Sequence, residues 1–222
     1  VDQTTNSGAV IVGGKEKAPE SGNLYITGIV GSPSGPITNT SNSGDITVIG
    51  DAANTTAIDT YVAGISNSFK DKMAECSNSG DITVKNFISV PLWIAGISNK
   101  AYCTTKSSST DKWQNVENSG DITLENITGW TGNSNCYIGG LVGSTYIDIT
   151  FTDCKNSGAV THNNAYTKNA YVGGLFGSQF AVKNISFINC ENTGAIYSNT
   201  PCRENAYIGG IFGLLKVLNT ST

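Results

Sequence analysis

Apolar residues along this chain fall in short runs of four to seven, each closed by Gly, Asn or Ser. Within the runs Ile, Val, Tyr and Phe often alternate with Thr, as in Asp45-Ile46-Thr47-Val48 and Asp121-Ile122-Thr123-Leu124. A period of two with β-branched and aromatic residues predicts strands. No run approaches the roughly 20 apolar residues of a membrane-spanning helix.

The runs recur. Asn-Ser/Thr-Gly-x-Ile/Val occurs six times, starting at Asn6, Asn42, Asn78, Asn118, Asn156 and Asn192, with spacings of 36, 36, 40, 38 and 36 residues. A second string interleaves with it, reading YITGIVG, YVAGIS, WIAGIS, YIGGLVG, YVGGLFG and YIGGIFG around Gly28, Gly64, Gly96, Gly140, Gly174 and Gly210. A weaker element precedes each Asn, as in PITNT, KMAEC, WQNV, ITFTDC and ISFINC. One repeat therefore predicts three short strands. Repeats that cannot bury an apolar face alone do so by stacking. The expected fold is all-β: a parallel β-helix (β-solenoid) over residues 1–222 as one domain, with six coils of ~36 residues. The general handedness of parallel crossovers favours the right-handed form. Six coils stacked at the inter-strand spacing would rise about 29 Å. The polar stretches 51–59, 100–111 and 163–168 differ in length and read as outer loops.

Composition narrows the function. Asn, Ser and Thr supply 72 of 222 residues and Gly 26 more, which argues against helices. Net charge is −4 and Arg203 is the single arginine, so a nucleic-acid footprint is excluded. No basic-then-apolar leader opens the sequence, so the expectation is that any leader has been removed.

Stacking turns each repeated position into a ladder. The motif Asn residues are expected to hydrogen-bond along the axis, and Gly8, Gly44, Gly80, Gly120, Gly158 and Gly194 to supply a positive φ at the corner. Tyr25, Tyr61, Trp93, Tyr137, Tyr171 and Tyr207 read as an aromatic stack, with a sugar-stacking stripe as the alternative. Cys76, Cys154 and Cys190 share a position filled elsewhere by Thr4, Thr40 and Val116, and read as core thiols. Cys103, Cys136 and Cys202 fall outside the motifs and read as loop cysteines, available for a disulfide in a secreted protein. Asp45, Asp81 and Asp121 are turn residues or, alternatively, a cation or sugar site. The Thr47, Thr83, Thr123 and Thr161 column is interrupted by Tyr197, and the repeat lengths vary, which sets ice binding aside. With one His and no Cys-x-x-Cys, no zinc ligand set is expected. Sequons at Asn39, Asn54, Asn126, Asn184 and Asn219 match what composition alone supplies.

YIGGLVG, YVGGLFG and YIGGIFG resemble the GLUG-motif repeats of bacterial surface and secreted proteins. CSNSG, CKNSG and CENTG resemble the companion CxNSG strand of the same arrays. AGISN around Gly64 and Gly96 departs from the pattern. The resemblance implies an extracellular, adhesin-like repeat scaffold with no catalytic residues in the repeat.

The sequence thus predicts a structural or adhesive cell-surface protein: a stalk, coat or filament subunit. No catalytic, cofactor or metal residues are assigned. Chain ends in the same repeat phase suggest either a segment of a longer array or copies that join end to end. The alternatives are a carbohydrate-binding module, with Trp113 and Trp130 as candidate contacts for a glycan or host-surface ligand, and, less favoured, a polysaccharide-degrading enzyme. The enzyme reading rests on fold analogy alone.

Overall fold

The computed structural model describes residues 1–13, 23–50, 59–69, 72–85, 91–101, 112–125, 135–146, 149–163, 167–182, 185–199 and 202–217. It is all-β, and every strand pairing in it is parallel, so that parallel sheets stack as a β-solenoid. Corresponding strands of successive repeats lie side by side in register: Ile82 and Thr83 face Ile122 and Thr123 of the next strand, and Leu124 of that strand faces His162 of the one after. Among the described residues no helix is long and apolar enough to cross a membrane.

Four sheets run along the molecule, not the three that the sequence predicts per repeat. Sheet 1 carries the segments that end in the motif Asn, such as Ile37–Asn42, Lys72–Asn78 and Lys112–Asn118. Sheet 2 carries the post-glycine strands, such as Ile46–Ile49, Ile82–Lys85 and Ile122–Glu125. Sheet 3 carries the Tyr strands, such as Thr60–Ala63, Leu92–Ala95 and Cys136–Gly139. Sheet 4 is the addition: Ser66–Phe69, Ser98–Ala101, Val142–Thr145, Phe176–Val182 and Phe212–Val217. The run Tyr-Ile-Gly-Gly-Leu-Val-Gly-Ser reads as one apolar string, but the chain turns within it. Ile138 faces one core and Leu141, three residues later, faces another.

Those two cores lie side by side. Sheets 2 and 3 enclose the first, with Ile82, Val84, Ile122 and Leu124 opposite Val62, Ile94 and Ile138. Sheets 1 and 4 enclose the second, with Met73, Trp113 and Phe151 opposite Phe69, Val142 and Phe176. Edge-to-face ring contacts fill the second core: Phe69 to Trp113 at 5.1 Å, Trp113 to Phe151 at 5.4 Å and Phe151 to Phe176 at 4.7 Å. Such pairs add to the stabilisation from area burial.

Sheet 1 breaks the two-residue alternation by a repeated device. Gln3, Asn39, Glu75, Asn115, Asp153 and Asn189 all have φ between 49° and 53°. Each lies three residues before the motif Asn. The left-handed residue points outward and lets its flanking residues, three apart, both face the core: Met73 with Cys76, Trp113 with Val116, Phe151 with Cys154. Asn and Asp tolerate this conformation. Gln3 and Glu75 hold it without that advantage.

Candidate functional site

The repeated polar residues meet at the waist between the two cores. Each motif Asn from Asn6 to Asn156 uses its Nδ2 twice. Asn118 Nδ2 donates to the Gly120 carbonyl at 2.8 Å and to Asn156 Oδ1 at 2.8 Å, while its own Oδ1 accepts from Asn78 Nδ2 at 2.8 Å. The same bonds join Asn6 to Asn42, Asn42 to Asn78 and Asn156 to Asn192 at 2.7 Å. Asn78 and Asn118 are fully buried. A buried amide must have its partners supplied by the protein, and here the next repeat supplies them.

The Asn ladder rests on the glycines of the Tyr-x-Gly-Gly corner. A Cβ at Gly64 or Gly96 would overlap the amide of Asn78 or Asn118 and the carbonyl oxygen of the glycine in the next repeat. These glycines pack against the backbone of the next repeat, with the Asn amide as second neighbour. The glycines of the Asn-Ser-Gly corner need correction. None has the positive φ that the sequence suggests. A Cβ on Gly120 would collide with the Gly80 carbonyl, and one on Gly80 with the Gly44 carbonyl. These positions are glycine because neighbouring corners approach closely, whereas positive φ falls three residues before the Asn.

The aspartates join the framework too. Asp45 Oδ1 accepts the Asp81 N–H at 3.0 Å, Asp81 Oδ1 the Asp121 N–H at 2.8 Å, and Asp121 Oδ1 the Ala159 N–H at 2.7 Å. Each carboxylate satisfies the corner of the repeat that follows. Among the described residues no group of three or more His, Cys, Asp and Glu is placed to hold a metal ion.

The six aromatic residues form one stack, with centroid spacings of 5.1, 4.5, 5.3, 5.0 and 5.0 Å from Tyr25 to Tyr207. Each inner ring has its faces occupied by its neighbours, so no sugar ring fits between them. Phe180 and Leu214 of sheet 4 pack over the stack. Lys100 lies over the Tyr61 and Trp93 rings at 4.3 and 4.7 Å and donates to Tyr61 Oη at 2.7 Å. Tyr61 in turn donates to Asp59 at 3.1 Å. Burial, reinforced by the Asp59 carboxylate, raises the Tyr61 hydroxyl, and burial pushes Tyr137 up to about 12. Lys100, read from sequence as the start of a loop, is a strand residue that covers this stack. The rest of that loop beyond Ala101 and most of 51–59 lie outside the described residues.

Other sequence expectations are redistributed. Trp113 is fully buried in the second core and cannot contact a glycan. Cys136 is fully buried in a sheet 3 strand, not in a loop, and burial pushes its thiol well above the usual range. Cys202 is half-buried against the first core. Cys76 and Cys154 are core thiols as expected. Trp130, Cys103 and the sequons at Asn54, Asn126, Asn184 and Asn219 lie outside the described residues. Asn39 is described, and its Nδ2 donates to Asp2 at 2.9 Å.

The outward-pointing column on sheet 1 leaves a concave surface that sequence reasoning missed. Glu75, Asn115 and Asp153, with Glu117 and Lys155 beside them, line an open groove of about 560 Å³. Asn115 Nδ2 donates to Glu75 Oε1 at 2.7 Å. The only sequence signal for it is the Gln/Asn/Glu/Asp identity of the position three before each Asn.

His162 occupies the core column that holds Leu124 one repeat earlier. It is fully buried, its Nδ1 lies 3.2 Å from Ser198 Oγ, and its Nε2 has no partner among the described residues. Burial pushes it down to about 4 from 6.5. The unfolded chain then binds a proton that the folded chain refuses. Stability falls as pH drops from about 6.5 to about 4, by about 3 kcal/mol in total. His162→Leu should remove that component, measured as the difference between the two proteins' urea-unfolding free energies at pH 7 and pH 4.

Comparison with family models, with curated proteins and with solved structures finds no match to this chain.

Proposed function

We propose that this chain is an extracellular, cell-surface structural or adhesive repeat protein: a six-coil, right-handed β-solenoid that stacks end to end as a stalk, coat or filament subunit. The count of six coils is supported by the six strands of sheets 2 and 3. The hand follows the general rule for parallel crossovers. The extracellular setting rests on the likeness to GLUG-type repeats. No catalytic, cofactor or metal role is assigned to any residue.

One observation carries the stacking. In each repeat the Gly-Gly corner receives the Asn of the following repeat: Gly28 receives Asn42, Gly96 receives Asn118, and Gly174 receives Asn192. Among the described residues, Gly210 has no atom within 4 Å of its Cβ position and Asn6, at the opposite end, has no such corner beneath it. The two faces are complementary, and a second copy placed head to tail would seat Asn6 against Gly210. It would also set the exposed Tyr25 on the exposed Tyr207, and Ile11 on Tyr197, continuing both columns. Such a contact is heterologous and does not close, so it propagates. Sedimentation velocity at rising concentration should show growing oligomers. Ile11→Glu with Tyr25→Glu should leave the circular dichroism unchanged and the protein monomeric. Wild-type protein that stays monomeric throughout would refute the stacking.

The second reading is a carbohydrate-binding surface, favoured by the groove at Glu75, Asn115 and Asp153, whose carboxylates and amides suit sugar hydroxyls. A glycan array with wild type and Asn115→Ala separates it from an inert scaffold.

A further inference from the structure

Cys154 and Cys190 occupy the same position in adjacent repeats. Strand pairing brackets them on both sides, with Thr152 opposite Ile188 and Lys155 opposite Glu191. The Glu191 N–H donates to the Cys154 carbonyl at 3.0 Å. Residues stacked in this way have Cα atoms about 4.8 Å apart, inside the range of about 4.4–6.8 Å that a disulfide spans. The side chains also converge. Cys190 Sγ lies 3.5 Å from the carbonyl of Phe151, in the repeat that holds Cys154.

Among the described residues the other cysteines lack such a neighbour. Cys76 is separated from Cys154 by the Val116 repeat, a gap of about two strand spacings. Cys136 and Cys202 belong to the first core, on the far side of the Asn ladder. We infer that Cys154 and Cys190 are an oxidation site, closed by small-molecule disulfides into a cross-repeat bond that staples adjacent repeats of sheet 1. This inference rests on the pair's own geometry and is independent of end-to-end stacking.

The chemistry is directional. Cys190 is half-buried, whereas Cys154 is fully buried, so Cys190 meets the oxidant first. The adjacent Cys154 thiol holds Cys190 below the usual range, while Cys190 and burial hold Cys154 above it. The Cys190 thiolate attacks one sulfur of a disulfide such as oxidised glutathione and expels one glutathione thiolate. Cys154 then attacks Cys190 Sγ, gives up its proton, and expels the second. Two protein thiols are oxidised, and one glutathione disulfide is reduced to two thiols that take up both protons.

The test is incubation of the folded protein with oxidised glutathione, followed by alkylation and peptide mapping without reduction. The expected product is a Cys154–Cys190 linked peptide, with Cys76 and Cys136 still alkylated once the chain is unfolded. The thermal midpoint should rise by about 5–10 °C. Cys154→Val copies Val116 in the preceding repeat. It should abolish both the link and the rise, and leave Cys190 as a persistent glutathione adduct. Wild-type protein that retains both thiols, stops at that adduct or links a different pair would overturn the inference.

Discussion

Gly96→Ala is expected to yield no folded protein at 37 °C. The added methyl would overlap both the Gly140 carbonyl oxygen and the Asn118 amide. Neither can retreat. The carbonyl belongs to a corner fixed by its own neighbours, and the Asn118 amide is held by three hydrogen bonds. Small-to-large changes in a packed interior ordinarily cost about 1–3 kcal/mol because side chains shift. Here backbone must shift, and the displacement passes up and down two ladders. A loss above about 4 kcal/mol is the expectation, read by urea unfolding or by failure to recover soluble protein. Gly31→Ala is the control, since a Cβ there meets nothing within 4 Å, and it should be near neutral.

Asn118→Ala should cost about 3–4 kcal/mol in the same assay. It removes two donated bonds and one accepted bond, and leaves Asn156 Oδ1 and the Gly120 carbonyl without that donor in a buried waist. Asn118→Asp should do no better. A carboxylate keeps the acceptor for Asn78 but cannot donate, and it places a charge where Asn118 is fully buried. The terminal equivalent, Asn6→Ala, loses bonds at an exposed edge and should cost less than half as much. A gradient of cost from centre to end distinguishes a cooperative ladder from six independent turns.

The ladders were legible because each repeat requires the same groups at the same corner. The period, the Asn column, the aromatic stack and the parallel all-β fold follow from two strings read six times. Sheet 4 was hidden because its turn lies inside an apolar run: Ile138 and Leu141 look alike in sequence yet face different cores. The two-core cross-section was hidden with it. The role of the corner glycines was misread for a related reason. Glycine serves both positive φ and close approach, and only the Cβ collision with the neighbouring corner tells them apart. Trp113 and Cys136 were placed outside because they sit beside variable stretches, where a strand's first buried residue has no motif partner to mark it. The groove at Glu75, Asn115 and Asp153 depends on a left-handed residue that no glycine announces.

These ladders use up most of the polar chemistry that the repeats contain. The Asn, Asp and Tyr columns are partnered by the repeat above or below. Among the described residues Gly210 has no atom within 4 Å of its Cβ position, and the scaffold reading is centred on that corner and the Asn6 edge. Electron microscopy of the protein purified from its native source, without refolding, tests that claim most directly. The account predicts unbranched fibres with an axial repeat of about 29 Å per chain. Isolated short rods at every concentration would contradict it.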